Sequence, residues 1–304
     1  MNIFLTGITG FIGSHLTPKL NEKGYKVYAL LRHSPRAVEI PKYVTSINGD
    51  LLDIHSLKKA IREAQPEIII HTAGMTPVRY SFENPFIYAH TNYIGTMNLV
   101  HASLDNPQLE KFIHASTAEV YKPKATPVLE TDELFGSTPY GVSKVAGDYY
   151  VQIAGKCFGL PYILLRPTNT YGRKTEKGYL IEKVVNQMLT SKKLVLDGNP
   201  NVYRDFMYVD DHVNGYLKAV EYKGSQEIFN LSTNRPVRIQ DVTDISRTVL
   251  NWDGEVFFEG SPRPYDPEAL LLDSHKANEK MNWTAGITLE EGIQRVADYW
   301  RDKK

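Results

Sequence analysis

Only one cysteine, Cys157, stands among 304 residues, which excludes an internal disulfide and fits a reducing compartment. No apolar run approaches the roughly 20 residues that a membrane-spanning helix needs. The apolar stretch beginning at residue 2 follows no charged leader, so the expectation is a soluble, cytoplasmic protein. Charge of one sign is missing too: lysine plus arginine and aspartate plus glutamate each total 35, so no net field draws the chain to nucleic acid or to an anionic membrane. Any basic function has to be local. Internal repeats and low-complexity tracts are absent, and no metal site is expected. With 42% hydrophobic and 23% charged residues, the chain has the make-up of an ordinary globular protein, long enough for one large or two moderate domains.

Glycine, by contrast, is placed with purpose. Residues 2–16 give an apolar run, then Gly7, Gly10 and Gly13, then the start of an amphipathic segment. This spacing predicts strand, tight turn and helix. Gly7 supplies the positive φ of the turn, Gly10 lets a phosphate approach the backbone, and Gly13 lets the helix pack closely. The amides that open the helix, at Phe11, Ile12 and Gly13, then face an anion. The pattern is G-x-x-G-x-x-G, a variant of the common G-x-G-x-x-G, and its weight comes from the βαβ context.

Short apolar runs at 3–6, 27–31, 43–47, 68–71, 111–116 and 162–165 alternate with stretches of helical length at 15–23, 56–63, 88–103 and 142–158. Such alternation predicts an α/β fold: a doubly wound, Rossmann-type parallel sheet covered on both faces. After Thr170 the rhythm changes. Residues 1–170, joined by about 205–232, are expected to form the dinucleotide-binding domain, with 206–222 returning to the sheet. Residues 171–304 are expected to form mainly a smaller, discontinuous α/β substrate lobe.

In such a unit the end of the second strand meets the adenosine ribose, where a carboxylate selects a 2′-hydroxyl and an arginine suits a 2′-phosphate. Here that end reads Leu31-Arg32-His33-Ser34-Pro35-Arg36, with no carboxylate, which favours NADP over NAD. Asp50 and Leu51, after the third strand, and Thr72 and Ala73, after the fourth, complete the expected cofactor wall together with Pro167.

Tyr140 and Lys144 lie four apart, on one face of a helix. A free tyrosine titrates near 10, so a neighbouring ammonium is needed before it serves as a base at neutral pH. About 25 residues earlier, His114-Ala-Ser-Thr-Ala-Glu-Val-Tyr121 follows a strand and offers Thr117, or else Ser116, to the oxygen that changes between alcohol and carbonyl.

Jointly, Gly7/Gly10/Gly13, Ser116-Thr117, Tyr140-x-x-x-Lys144 and Arg166-Pro-Thr-Asn-Thr-Tyr-Gly172 resemble the extended short-chain dehydrogenase/reductases, in the group of nucleotide-sugar epimerases, dehydratases and reductases. Further matching segments are His71-Thr-Ala-Gly74, Asn92-x-x-Gly-Thr-x-Asn-Leu99, Arg204-Asp-Phe-Met-Tyr-Val-Asp-Asp211 and Arg263-Pro-Tyr-Asp266 ahead of Asn282-Trp283. The resemblance implies that Thr117, Tyr140 and Lys144 are catalytic, that Lys144 also holds the nicotinamide ribose, and that Asn169, Arg204 and Arg263 grip the diphosphate of a nucleotide sugar. It implies a homodimer as well, paired through helices near 88–103 and 140–158, with Tyr149, Tyr150 and Val151 as candidates for apolar contact.

The shared step of that group is hydride transfer at a sugar carbon, commonly C4. Epimerisation is the expected net outcome, with 4-keto reduction by NADPH as the alternative. A 4,6-dehydratase would use Glu119 as base, but Ala118 stands where dTDP-glucose-type dehydratases place an aspartate. A non-catalytic dinucleotide binder is the reading from a different class, and it has no need of Thr117, Tyr140 and Lys144 together.

Overall fold

The computed structural model describes residues 1–32, 39–174, 178–259, 265 and 267–302. Its centre is a seven-stranded parallel sheet: β1 (Asn2–Thr6), β2 (Lys26–Leu31), β3 (Val44–Asn48), β4 (Ile68–His71), β5 (Lys111–Ala115), β6 (Tyr162–Pro167) and β7 (Glu227–Leu231). The spatial order is β7-β6-β5-β4-β1-β2-β3. Winding thus runs one way from β1 to β3 and the other way from β4 to β7, which opens a crevice between β1 and β4 at the carboxyl ends of the strands.

Alternate side chains of each strand enter opposite cores. Ile3 and Leu5 of β1, Ile68 and Ile70 of β4 and Ile163 and Leu165 of β6 join one cluster, while Phe4, Ile69 and Leu164 join the other. Residues buried on both faces explain why the strands read as unbroken apolar runs. Helices Phe11–Glu22 and Val209–Glu221 cover the first face. Helices Ile54–Ala64, Gly95–Leu104 and Pro139–Phe158 cover the second.

The expected return of 206–222 to the sheet takes a different form. Phe206–Tyr208 pairs in parallel with Asn169–Tyr171, the next helix packs on the sheet, and the strand that joins the sheet is β7, beside β6. Helices Leu180–Thr190, Ile239–Leu250 and Leu289–Arg301 build two further cores, Val120, Tyr121, Val128 and Leu270 belong to a smaller one, and helix His275–Met281 packs into the cluster that holds Ile3 and Leu5.

Beneath the crevice, His71 and His114 are each 1% exposed, with ring centroids 5.1 Å apart. Thr96 Oγ1 donates to the Asn92 carbonyl (2.7 Å), so at 3.0 Å it accepts from His71 Nε2. Nδ1 of the neutral ring then accepts from Thr6 Oγ1 at 2.7 Å. Burial lowers the pKa of His71 and of His212 to about 3, and that of His114 well below its usual value.

In the unfolded chain these rings titrate near 6.5. The folded pKa values are depressed, so the unfolded state binds more protons below that pH. The stability contributed by the neutral rings is complete above 6.5 and is lost as pH falls toward 3, at up to about 1.4 kcal/mol per ring per pH unit. Asp205 and Asp211 are raised by burial and act in the opposite sense, resisting acid. Urea midpoints measured from pH 8 to pH 5 are expected to hold above 7 and to drop steeply below 6, with a shallower drop in His71→Gln; a flat profile would refute the assignment.

Candidate active site

A cleft of about 550 Å³ lies over the carboxyl ends of β1, β4, β5 and β6, bounded on its open side by residues of the second set of elements. At one wall stands the glycine turn. Gly7 has φ +81°, and a Cβ there would come within 2.6 Å of the Ala73 nitrogen; a Cβ at Gly13 would come within 2.2 Å of the Gly7 carbonyl oxygen. Only glycine closes this turn at both positions. Gly10, the N-cap, offers no side-chain cap, and no acidic residue lies in the helix's first turn. The N–H groups that begin this helix have no intrahelical acceptor, and its dipole is left uncompensated, so the turn fits a dinucleotide's pyrophosphate.

Thr117, Tyr140 and Lys144 line the same cleft. Thr117 ends the turn after β5 and caps the short helical turn Ala118–Val120, its Oγ1 accepting from the Glu119 N–H at 3.3 Å. Thr138 caps the helix Pro139–Phe158, which brings Tyr140 into its first turn and Lys144 one turn later on the same face. The Thr117 side chain is near enough to the Tyr140 hydroxyl to favour its ionised form. The ring is 7% exposed and meets Tyr88 edge-on at 6.2 Å.

Burial pushes the Tyr140 phenol above its ordinary value, the Thr117 side chain pulls it down, and the charge of Glu119 adds to the rise. Lys144 donates to the Ala115 carbonyl, and burial lowers its pKa to about 8. Ser116, the other hydroxyl in play, also lines the cleft but donates to Asp148 Oδ2 at 2.6 Å.

The cleft also takes in Phe11, Ile12, Thr72, Glu119, Pro167, Asn169 and Arg204. Asn169 Nδ2 donates to the Asp205 carbonyl (3.2 Å), and Arg204, 8% exposed, donates to the Tyr203 carbonyl (2.7 Å). Four expected residues stand elsewhere. Arg32 is exposed at the end of β2 and outside the cleft wall. Asp50 Oδ1 accepts from the Leu52 N–H at 2.9 Å, closing its own turn. Leu51 packs toward Gly95, and the Ala73 N–H donates to Thr6 Oγ1 at 3.3 Å. Arg263, together with Ser34 and Arg36, lies outside the described residues. Among the described residues no group of His, Cys, Asp or Glu could hold a metal ion.

Sequence reasoning missed Arg173, Tyr179, Glu182, His212 and Tyr216, all in the cleft wall. Glu182 is fully buried and its Oε1 accepts from the N–H groups of Gly172 (2.8 Å) and Arg173 (2.9 Å), fixing the segment that follows the Asn169–Tyr171 strand. No local spacing announces a carboxylate ten residues away as a partner of two amides.

A model of the NAD dependent epimerase/dehydratase family matches residues 3–232. The chain belongs to this family. Members of the NAD dependent epimerase/dehydratase family similar to it over almost its whole length include a Methanocaldococcus jannaschii protein named "Putative UDP-glucose 4-epimerase", 33% identical over 99% of this chain and 98% of that one. A Thermotoga maritima UDP-glucose 4-epimerase, solved with UDP-glucose, superposes with a TM-score of 0.92 at 30% identity, covering 100% of this chain and 99% of the other. A Thermus thermophilus UDP-glucose 4-epimerase in complex with NAD gives a TM-score of 0.89 at 27% identity, covering 99% of each chain.

Proposed function

We propose that the protein is a nucleotide-sugar 4-epimerase that works by hydride transfer at C4 of an NDP-hexose. The observation that carries this reading is that Thr117, Tyr140 and Lys144 line the same cleft as the glycine turn. A bound nicotinamide supplies the hydride acceptor and donor. Tyr140 takes the proton of the C4 hydroxyl, Thr117 holds that hydroxyl by a hydrogen bond, and the Lys144 ammonium favours the phenolate while the proton is on loan. Asn169, Arg204 and Arg263 serve as donors to the sugar's diphosphate, the chemistry that amide and guanidinium groups provide. On this reading the elements after residue 171, apart from those that return to the sheet, form the substrate lobe.

One observation favours a second outcome. Arg32 at the end of β2, with no carboxylate through residue 36, suits NADP, and an NADPH-dependent 4-keto sugar reductase would use the same three residues in one direction only. The dehydratase reading rests on Glu119 in the cleft wall and is weakened by Ala118, which is 4% exposed and carries no acid. The purified protein with UDP-glucose and dinucleotide is expected to form the C4 epimer, seen by proton NMR, without net change in nicotinamide absorbance. Stoichiometric consumption of NADPH with a 4-keto sugar would replace the epimerase by the reductase.

We also infer a homodimer. Val142, Tyr149, Ile153 and Phe158 of the Pro139–Phe158 helix are about half exposed, as is Ile87, and Phe86 is 78% exposed. Val151 instead lies in the core and Tyr150 bonds His101, so of the three candidates only Tyr149 faces outward.

A further inference from the structure

Asp205 joins Arg204 to Asn169, the two described residues read above as donors to the diphosphate. Arg204, which precedes it, ends a strand that pairs with Val237–Arg238 on one side and Ala269–Leu270 on the other. Phe206, which follows it, begins the strand that pairs with Asn169–Tyr171. Asp205 is therefore the residue at which the chain leaves one small sheet for another. Asn169, Arg204 and Phe206 line the cleft, whereas Asp205 lines a second cavity of about 120 Å³ with Ser232 and Asn234.

Main chain and side chain of this residue are both engaged. Its carbonyl accepts from Thr168 Oγ1 at 2.9 Å and from Asn169 Nδ2 at 3.2 Å. An amide nitrogen carries two hydrogens, so this bond orients the Asn169 amide and leaves its second N–H for a ligand. The carboxylate of Asp205, a residue only 1% exposed, accepts from the hydroxyls of Ser232 and Thr233 and, at 2.8 Å, from the Thr233 N–H, all on the loop that follows β7. That loop is anchored in turn. Ser274 Oγ donates to the Ser232 carbonyl at 3.0 Å, and Asn234 Nδ2 donates to Ser274 Oγ at 2.9 Å. Hydrogen bonds have fixed directions, so a satisfied buried network of this kind sets the place of the chain that it holds.

We propose that Asp205 is a positioning residue for the substrate's diphosphate: its carboxylate, clamped by the loop at 232–234, fixes the chain so that its carbonyl orients the Asn169 amide and the neighbouring Arg204 stands in the cleft wall. This rests on the reading of Asn169 and Arg204 as diphosphate donors. Asp205 itself touches neither substrate nor cofactor on that reading. Its removal therefore acts on nucleotide binding and leaves the glycine turn alone.

The test is a double-mutant cycle read by calorimetric titration with UDP, the diphosphate part of the proposed substrate, with NADH binding as the control. Asp205→Ala is expected to raise the dissociation constant for UDP about 10-fold, the cost of misplacing a charge-assisted hydrogen bond, and to leave that for NADH within about twofold. Asp205→Asn keeps one acceptor oxygen and should fall between parent and alanine variant. In an Asn169→Ala background the same Asp205→Ala change should cost only about 3-fold or less, because the amide that it orients is gone. A residue that merely stabilised the fold would weaken both ligands and would act equally in both backgrounds. Should Asp205→Ala not fold, Ser232→Ala with Thr233→Val, which removes the two hydroxyl donors and keeps the Thr233 N–H, carries the same cycle with a factor of about 3. UDP affinity of the Asp205 variant within about twofold of the parent, or an undiminished factor in the Asn169→Ala background, would overturn the inference alone. A parent that does not bind UDP, or whose affinity survives Asn169→Ala and Arg204→Ala unchanged, would remove the diphosphate reading and this residue's role with it.

Discussion

Tyr140→Phe is expected to lower kcat by about 10²- to 10⁴-fold, the usual range for a positioned acid or base, with the fold and nucleotide-sugar binding intact. The change removes one oxygen from a ring that is 7% exposed and packed edge-on against Tyr88, so the packing that holds the helix start is kept. What disappears is the hydroxyl on which Thr117 acts, and with it the proton acceptor itself. In the resting protein burial outweighs the effect of Thr117 and keeps the phenol protonated. Activity of the parent should therefore climb as pH rises from neutrality, until loss of the Lys144 charge, near pH 8, opposes it. The phenylalanine variant should be low and flat over the same range. Rates from pH 6 to 9 for parent, Tyr140→Phe and Lys144→Met check this, and a phenylalanine variant with the parent's rate and profile would dismiss the tyrosine as base.

Much of the scaffold was legible because its signals are local. Ile3, Phe4 and Leu5 read as one apolar run, and a strand buried on both faces is the arrangement that such a run permits. Gly7 and Gly13 read as a turn because their separation is set by the turn itself, and the structure leaves no room for a Cβ at either. The Tyr140/Lys144 pair was visible for the same reason, since one helical turn separates them. The rest depends on contacts between distant segments. Phe206-Met207-Tyr208 has the composition of a strand but is taken by Asn169–Tyr171, and the sheet is extended by Glu227–Leu231 instead. Arg173 lies 162 positions after Phe11, and no periodicity links them. Asp50 was legible as an acid after a strand, yet the Leu52 amide only two residues away claims one of its oxygens.

Ser116 and Arg166 show most clearly what the motif left out. Both belong to segments that mark the family, and both donate to one carboxylate that no motif contains. Asp148, fully buried, accepts from Arg166 Nε at 2.9 Å and Nη2 at 2.7 Å, from Ser116 at 2.6 Å and from Gln152 at 2.8 Å. Arg166 also donates to the Tyr121 hydroxyl at 2.8 Å, and Tyr121 in turn donates to Asn230 at 2.7 Å. The network thus pins both ends of the loop that carries Thr117 and Glu119, and ties it to β6, β7 and the helix of Tyr140. A paired buried charge adds little net stability, but removing one partner strands the other. Asp148→Ala is therefore expected to cost about 3–5 kcal/mol in urea unfolding, because the guanidinium remains charged in an apolar interior. Asp148→Leu combined with Arg166→Met should recover most of that loss, since neither charge then remains. The same double variant should recover little activity, because Ser116 and Tyr121 have lost the partners that place Thr117 beneath the substrate. Full recovery of activity along with stability would mean that Thr117 is positioned by its own turn and not by the charges below it.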